Sequence, residues 1–185
     1  MSNTLSLHNK RYLNQREFSD QYDSHMSQVA CNILFSDPKL LSVYFKTPSL
    51  SEDRKLGIDQ WIDVERMKIS YRIRDAKFKP YFLEGFTIRN VSRFGPTELE
   101  KIQTDDYADW LLYAVAHPSE YGVVDCGVLI DLKSVGSQLV TYPHLIEQAT
   151  KGNGFLEFSY DAFPSDPVVG TYGVKRKEAV PCPSL

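Results

Sequence analysis

At 185 residues the chain is long enough to bury one proper core and too short for two. Its hydrophobic fraction of 42% and aromatic fraction of 12% belong to a folded protein. No run approaches the ~18 apolar residues that span a bilayer, and the polar N-terminus lacks a signal-peptide core, so neither membrane insertion nor export is expected.

The net charge of −3 is the sum of unlike parts. Residues 54–93 hold ten Lys/Arg against five Asp/Glu, a net of +5, while residues 94–185 hold six against thirteen, a net of −7. A basic central block on an acidic protein predicts one face turned to a polyanion, unless the arginines only coat a solvated sheet. Cys31, Cys126 and Cys182 are odd in number and widely spaced, which fits a reducing cytoplasm and neither a disulfide framework nor a zinc site.

The first helix is predicted from about Gln15 to Phe35, where Phe18, Tyr22, Met26, Val29 and Ile33 recur at helical steps and Asp37-Pro38 stops the pattern. A short helix or turn at 39–45 and a polar loop at 47–55 follow. Residues 58–64 and 69–74 read as two strands joined by a hairpin at 65–67, and residues 85–91 as a third strand of the same meander. Thr97 and Glu100 have the spacing of a helix start. Residues 105–117 read as a short helix ended by Pro118, with Tyr107, Trp110 and Tyr113 as its core stripe. Residues 122–132 form an apolar strand of the type buried on both faces, and 134–148 a helix interrupted by Pro143. Glycines and prolines then punctuate an edge hairpin near 155–160 and a loosely held tail at 175–185. The expected fold is α/β: a three-layer-like sandwich with a mixed central sheet flanked by helices, residues 1–150 forming the domain and 151–185 its C-terminal hairpin and tail.

The chemistry-bearing residues lie in 57–74, GIDQWIDVERMKISYRIR. Period-two alternation sets Asp59, Trp61 and Asp63 on one face of the first strand and Ser70, Arg72 and Arg74 on one face of the second. Carboxylates facing a small hydroxyl residue and guanidinium groups are what phosphodiester hydrolysis asks for. One or two Mg²⁺ or Mn²⁺ ions, held by a few carboxylates, generate the nucleophile, and a cation on the next strand stabilises charge on the phosphate. Asp59 is the first candidate ligand, with Asp63, Asp23 or Glu84 completing the shell. Arg74, Lys77, Lys79 and Arg89 would grip the backbone of DNA or RNA, and Trp61, on the charged face, would stack on a base or pack under a helix. Asp59 would equally serve as a cross-strand partner of Arg72 or Arg74. His25, His117 and His144 have no ligand spacing.

The order of helix, strand with Asp59, and, after ten intervening residues, Ser70-Tyr71-Arg72 resembles the PD-(D/E)XK nuclease superfamily over residues ~15–132. The resemblance implies a restriction-endonuclease-like fold and a Mg²⁺-dependent endonuclease, with Asp59 as the metal-binding aspartate and Arg72 at the lysine position. Asp23, or nearby Glu17 or Asp20, would be the helix acid. Ser70 stands where the family carries a second acid, and Arg72 does not deprotonate. The alternative is therefore a degenerate nuclease fold that binds nucleic acid or a partner protein, or a small subunit of an assembly that docks through residues 151–185. A compact accessory protein of phage or mobile-element type would suit either reading.

Overall fold

The computed structural model describes residues 14, 16–34, 45–46, 60–62, 67–92 and 95–174. Helix α1 (Asp23–Leu34) follows helical residues 16–20 and a turn at Gln21 and Tyr22. The strands β1 (Phe45–Lys46), β2 (Gln60–Ile62) and β3 (Met67–Arg74) come next. A 3₁₀ turn (Ala76–Phe78) and the short helix α2 (Lys79–Phe82) lead into β4 (Gly85–Arg89). The remainder is α3 (Glu98–Gln103), β5 (Trp110–Ala116), β6 (Val124–Asp131), α4 (Leu132–Thr141), α5 (His144–Gln148), β7 (Thr150–Gly152), β8 (Phe155–Ser159) and β9 (Val168–Tyr172).

Six strands form a mixed sheet in the order β1-β2-β3-β5-β6-β9, in which β3 and β5 run parallel and the other neighbours antiparallel. A second, antiparallel sheet has the order β4-β8-β7. One face of the large sheet receives α1, whose Met26, Val29 and Ala30 pack on Ile69, Leu112 and Leu129. The other face, with Leu111, Tyr113, Val115 and Val128, is covered by α3, α4, α5 and the inner residues Phe86, Ile88, Leu156 and Phe158 of the small sheet. The fold is an α/β sandwich with a mixed central sheet flanked by helices. Both cores form because alternate residues of β5 and β6 supply them: a strand covered on both faces needs apolar side chains on both.

Local chemistry sets several boundaries. Thr97 and Glu100 form a reciprocal capping box at the start of α3, with Thr97 Oγ1 accepting from the Glu100 amide at 3.2 Å. Asp131 caps α4 by accepting from the Ser134 amide at 2.9 Å. The β7–β8 hairpin turns at Asn153 (φ 50°) and Gly154 (φ 81°), the Asn-Gly pair that a two-residue turn with both φ positive demands. Where α4 crosses α3, a Cβ on Gly136 would lie 2.3 Å from the Ile102 carbonyl oxygen, so the two helices approach closely only because position 136 has no side chain.

The structure departs from the sequence expectations in five places. Residues 110–116 are a central strand and not a helix; flanked by β3 and β6, the run WLLYAVA is buried on both sides and has lost the alternation that marks an edge strand. Trp110 and Tyr113, three apart on a strand, therefore pack into opposite cores. Residues 85–89 leave the expected meander and found the second sheet. Residues 168–172, given no strand in the sequence reading, pair with β6. Finally, α1 lies on the face opposite Ser70 and Arg72, because its apolar stripe meets Ile69 and not the arginine side of β3. Phe45 belongs to a strand rather than a turn; residues 39–44, 47–55, the hairpin residues Glu65 and Arg66, and the tail from Lys175 lie outside the described residues. Among those described, no helix is long and apolar enough to cross a membrane.

Candidate functional site

The polar face of β3 turns to the side of the large sheet that carries the small one, and its arginines reach Thr87 and Phe155, which alternate with the small sheet's inner residues. Arg72 and Arg74 pair in register with Tyr113 and Val115 of β5, on the side that carries α3 and the small sheet. Arg72 donates from Nη2 to both carboxylate oxygens of Glu98, each at 2.7 Å. The pair is withdrawn from water, with side-chain exposures of 15% for Arg72 and 6% for Glu98. Nη1 of Arg72 donates to the Thr87 carbonyl oxygen. Glu98 also accepts from the Tyr107 hydroxyl at 3.1 Å and from the Arg89 amide at 2.8 Å. Every charge-bearing atom of the carboxylate thus has a donor, the condition under which a buried ion pair is tolerated. Burial alone would push the Arg72 guanidinium down. The adjacent Glu98 charge outweighs it and holds Arg72 above the ordinary arginine value, permanently protonated.

Among the described residues, the positive charge around this pair is in excess. Arg74 donates from Nε to the Tyr113 hydroxyl at 3.1 Å and from Nη2 to the Thr87 hydroxyl, both neutral partners. The guanidinium carbons of Arg72, Arg74 and Arg89 lie 5.7, 5.5 and 5.7 Å from the centroid of one ring, Phe155 on β8. The register Arg89↔Phe155 explains the convergence, since it seats the ring of β8 directly beside the last residue of β4. Among the described residues, neither Arg74 nor Arg89 has a carboxylate within salt-bridge distance, and Arg89 is exposed. The nearest acid along the same face of β8 is the exposed Glu157, opposite Thr87.

The other residues singled out from the sequence are scattered. Ser70 is buried, its Oγ 3.5 Å from the Tyr107 hydroxyl. Asp23 begins α1 on the opposite face of the sheet, where its carbonyl accepts from Ser27 Oγ at 2.7 Å. Glu84 is an exposed turn residue before β4. Lys77 sits 3.8 Å from Asp75, and Lys79 2.7 Å from Asp125. Trp61 pairs with Lys68 in the β2–β3 ladder, the register that the hairpin reading requires. Asp59 and Asp63 lie outside the described residues. Among the described residues no group of three His, Cys, Asp or Glu side chains is placed to hold a metal ion. His25 accepts from the Val124 amide at 2.8 Å and His117 from the Glu120 amide at 3.1 Å, so both have backbone roles.

Sequence reasoning missed Glu98, Thr87 and Phe155. Glu98 lay in plain view as the first residue of a capped helix, but nothing in the spacing ties it to Arg72, twenty-six positions earlier. Phe155 is one aromatic in an aromatic-rich hairpin, and only the β4–β8 register selects it. No protein-family model matches the chain, and neither does any curated protein or solved structure.

Proposed function

We propose that the protein binds nucleic acid through the arginine face formed by β3, β4 and β8, and that it does so without cutting. The observation that carries this reading is the convergence of three guanidinium groups on Phe155 with one bonded carboxylate between them. Glu98 neutralises Arg72 and fixes its plane, which leaves Arg74 and Arg89 beside the Phe155 ring with no carboxylate partner among the described residues. Phosphate oxygens reaching these two guanidinium groups would gain charge-assisted hydrogen bonds, and the fork of an arginine matches a phosphate in two-point geometry. Arg72, being saturated by Glu98, acts as a scaffold for the cluster and not as the phosphate ligand.

The reading is tested by salt. Wild-type affinity for a DNA or RNA oligonucleotide should fall steeply as salt rises from about 50 to 200 mM. The double reversal Arg74→Glu/Arg89→Glu should weaken binding by roughly tenfold or more at low salt and flatten the log–log salt slope by about 2, one for each arginine withdrawn from a phosphate. A wild type that retains no nucleic acid at about 50 mM salt would remove the basis of this reading.

A second reading, a Mg²⁺- or Mn²⁺-dependent phosphodiesterase, is favoured by the Trp61↔Lys68 register, which keeps the β2–β3 ladder in the alignment that the Asp59 assignment uses. There Asp59 would be the metal ligand. Asp59→Ala should then abolish nicking of a supercoiled plasmid with either metal while leaving the far-ultraviolet circular dichroism unchanged. Nicking by Asp59→Ala at the wild-type rate, or none by the wild type, rules the phosphodiesterase out.

A further inference from the structure

The polypeptide leaves β3 through the sequence Lys77-Phe78-Lys79-Pro80-Tyr81-Phe82, folded as a 3₁₀ turn running into α2. The segment divides its aromatic residues. Phe82 is buried, its ring stacked on Tyr113 at 5.7 Å and 14°. Phe78 and Tyr81 are turned outward and are 43% and 62% exposed, large apolar surfaces that the fold does not use. Three positions apart on a helical turn, they project from neighbouring points of one face. Lys77 and Lys79 flank Phe78, with Lys77 Nζ 5.2 Å from the Phe78 ring centroid.

This segment is continuous with the arginine face. Arg74 lies 5.6 Å over the Tyr113 ring, and the other partner of that ring is Phe82. A chain of neighbouring side chains thus runs from Arg89 and Phe155 through Arg74 and Tyr113 to the base of the exposed pair. The two lysines are held by Asp75 and Asp125, but both ion pairs lie at or near the surface, where such a pair is worth about 0–1 kcal/mol and a phosphate can displace the carboxylate.

From this arrangement we infer that Phe78 and Tyr81 form a base-stacking platform, so that the ligand of the arginine face is a single-stranded nucleic acid. A duplex hides its base faces and gives such rings nothing to stack on. A single strand offers both a backbone for Arg74, Arg89 and the lysines and unstacked bases for the rings. The inference rests on the nucleic-acid reading above.

The test uses fluorescence anisotropy of the full chain with a labelled oligo-dT of about 12 nucleotides and with a hairpin duplex of similar charge. The wild type should prefer the single strand. Phe78→Ala/Tyr81→Ala, which spares the buried Phe82, should weaken single-strand binding by roughly tenfold or more, leave duplex binding unchanged and leave the salt slope unchanged, because stacking displaces no counterions. Tyr121→Ala, with a tyrosine 77% exposed in the β5–β6 connection, should leave both affinities at the wild-type value. If Arg74→Glu/Arg89→Glu abolishes binding while the aromatic double variant binds both ligands like wild type, the platform is overturned and the nucleic-acid reading stands. If the wild type binds neither ligand, both fall. If the aromatic variant instead loses a co-purifying protein with no change toward oligo-dT, the platform is a protein-docking surface and the inference is wrong.

Discussion

Glu98→Ala is expected to destabilise the protein by about 3–5 kcal/mol, because it strands the buried Arg72 charge without a counterion. The variant deletes two charge-assisted bonds from Arg72 and also removes the carboxylate that accepts from the Tyr107 hydroxyl and the Arg89 amide. For a chain of this size such a loss lowers Tm by roughly 10 °C. A urea titration monitored by tryptophan fluorescence reads the effect directly. Arg72→Met/Glu98→Leu removes both charges together and should recover most of the stability, since replacing a whole buried pair by apolar side chains is close to neutral. A single variant as stable as wild type would mean that water reaches Arg72 and that the pair is not a buried one. The double variant has a second use. It keeps Arg74 and Arg89, so nucleic-acid affinity should persist within a few-fold if the saturated arginine is a scaffold and not a phosphate ligand.

Phe86→Ala is expected to cost a similar amount, about 3–5 kcal/mol, by the loss of transfer energy and the cavity left behind. Phe86 is fully buried, and its ring stacks against those of Phe158, Tyr160 and Phe163 at 5.6 to 5.9 Å. That cluster fastens the small sheet to the core, and the small sheet carries Thr87, Arg89 and Phe155. The variant should therefore weaken nucleic-acid binding as well as stability, although Phe86 faces away from the arginines. Phe86→Leu, which refills most of the volume, should restore both. Unchanged binding at a temperature where Phe86→Ala remains folded would separate the position of the small sheet from the site.

The parts of this architecture that were legible in the sequence are those whose pattern is local. The alternation of Ile69, Tyr71 and Ile73 against Ser70, Arg72 and Arg74 needs only its own eight residues, and the strand formed with the polar residues on one side. The Thr97/Glu100 box, the apolar run of β6 and the break at Pro143 were of the same type. Illegible parts depended on what lies next to a segment in space. WLLYAVA could be a buried strand or a short helix until its neighbours β3 and β6 were known. Which elements would cover the arginine face of β3 was not encoded in β3 at all. The sequence displayed Arg72 as an available cation, and the fold supplied Glu98. A buried partner brought from a distant helix leaves no periodicity to detect, so a charged residue on a strand cannot be assigned to solvent, ligand or ion pair from spacing alone.

The crossover between the parallel strands β3 and β5 contains β4, and β4 finds its hydrogen-bonding partner only in β8, near the far end of the chain. β6 likewise waits for β9. Pairings of such high sequence separation slow folding, because loop-closure entropy is spent before the contacts that reward it exist. A nascent chain emerging from the ribosome has the whole β3-β5-β6 core in hand while two strand edges, β4 and β6, stand open and apolar. During that interval the unfinished domain is sticky in the manner of any unpaired strand edge. Completion of the last strands therefore does two things at once: it closes both edges, and with Phe155 it brings the ring around which the arginines gather. Binding competence should thus emerge late and all together, with no partly active precursor.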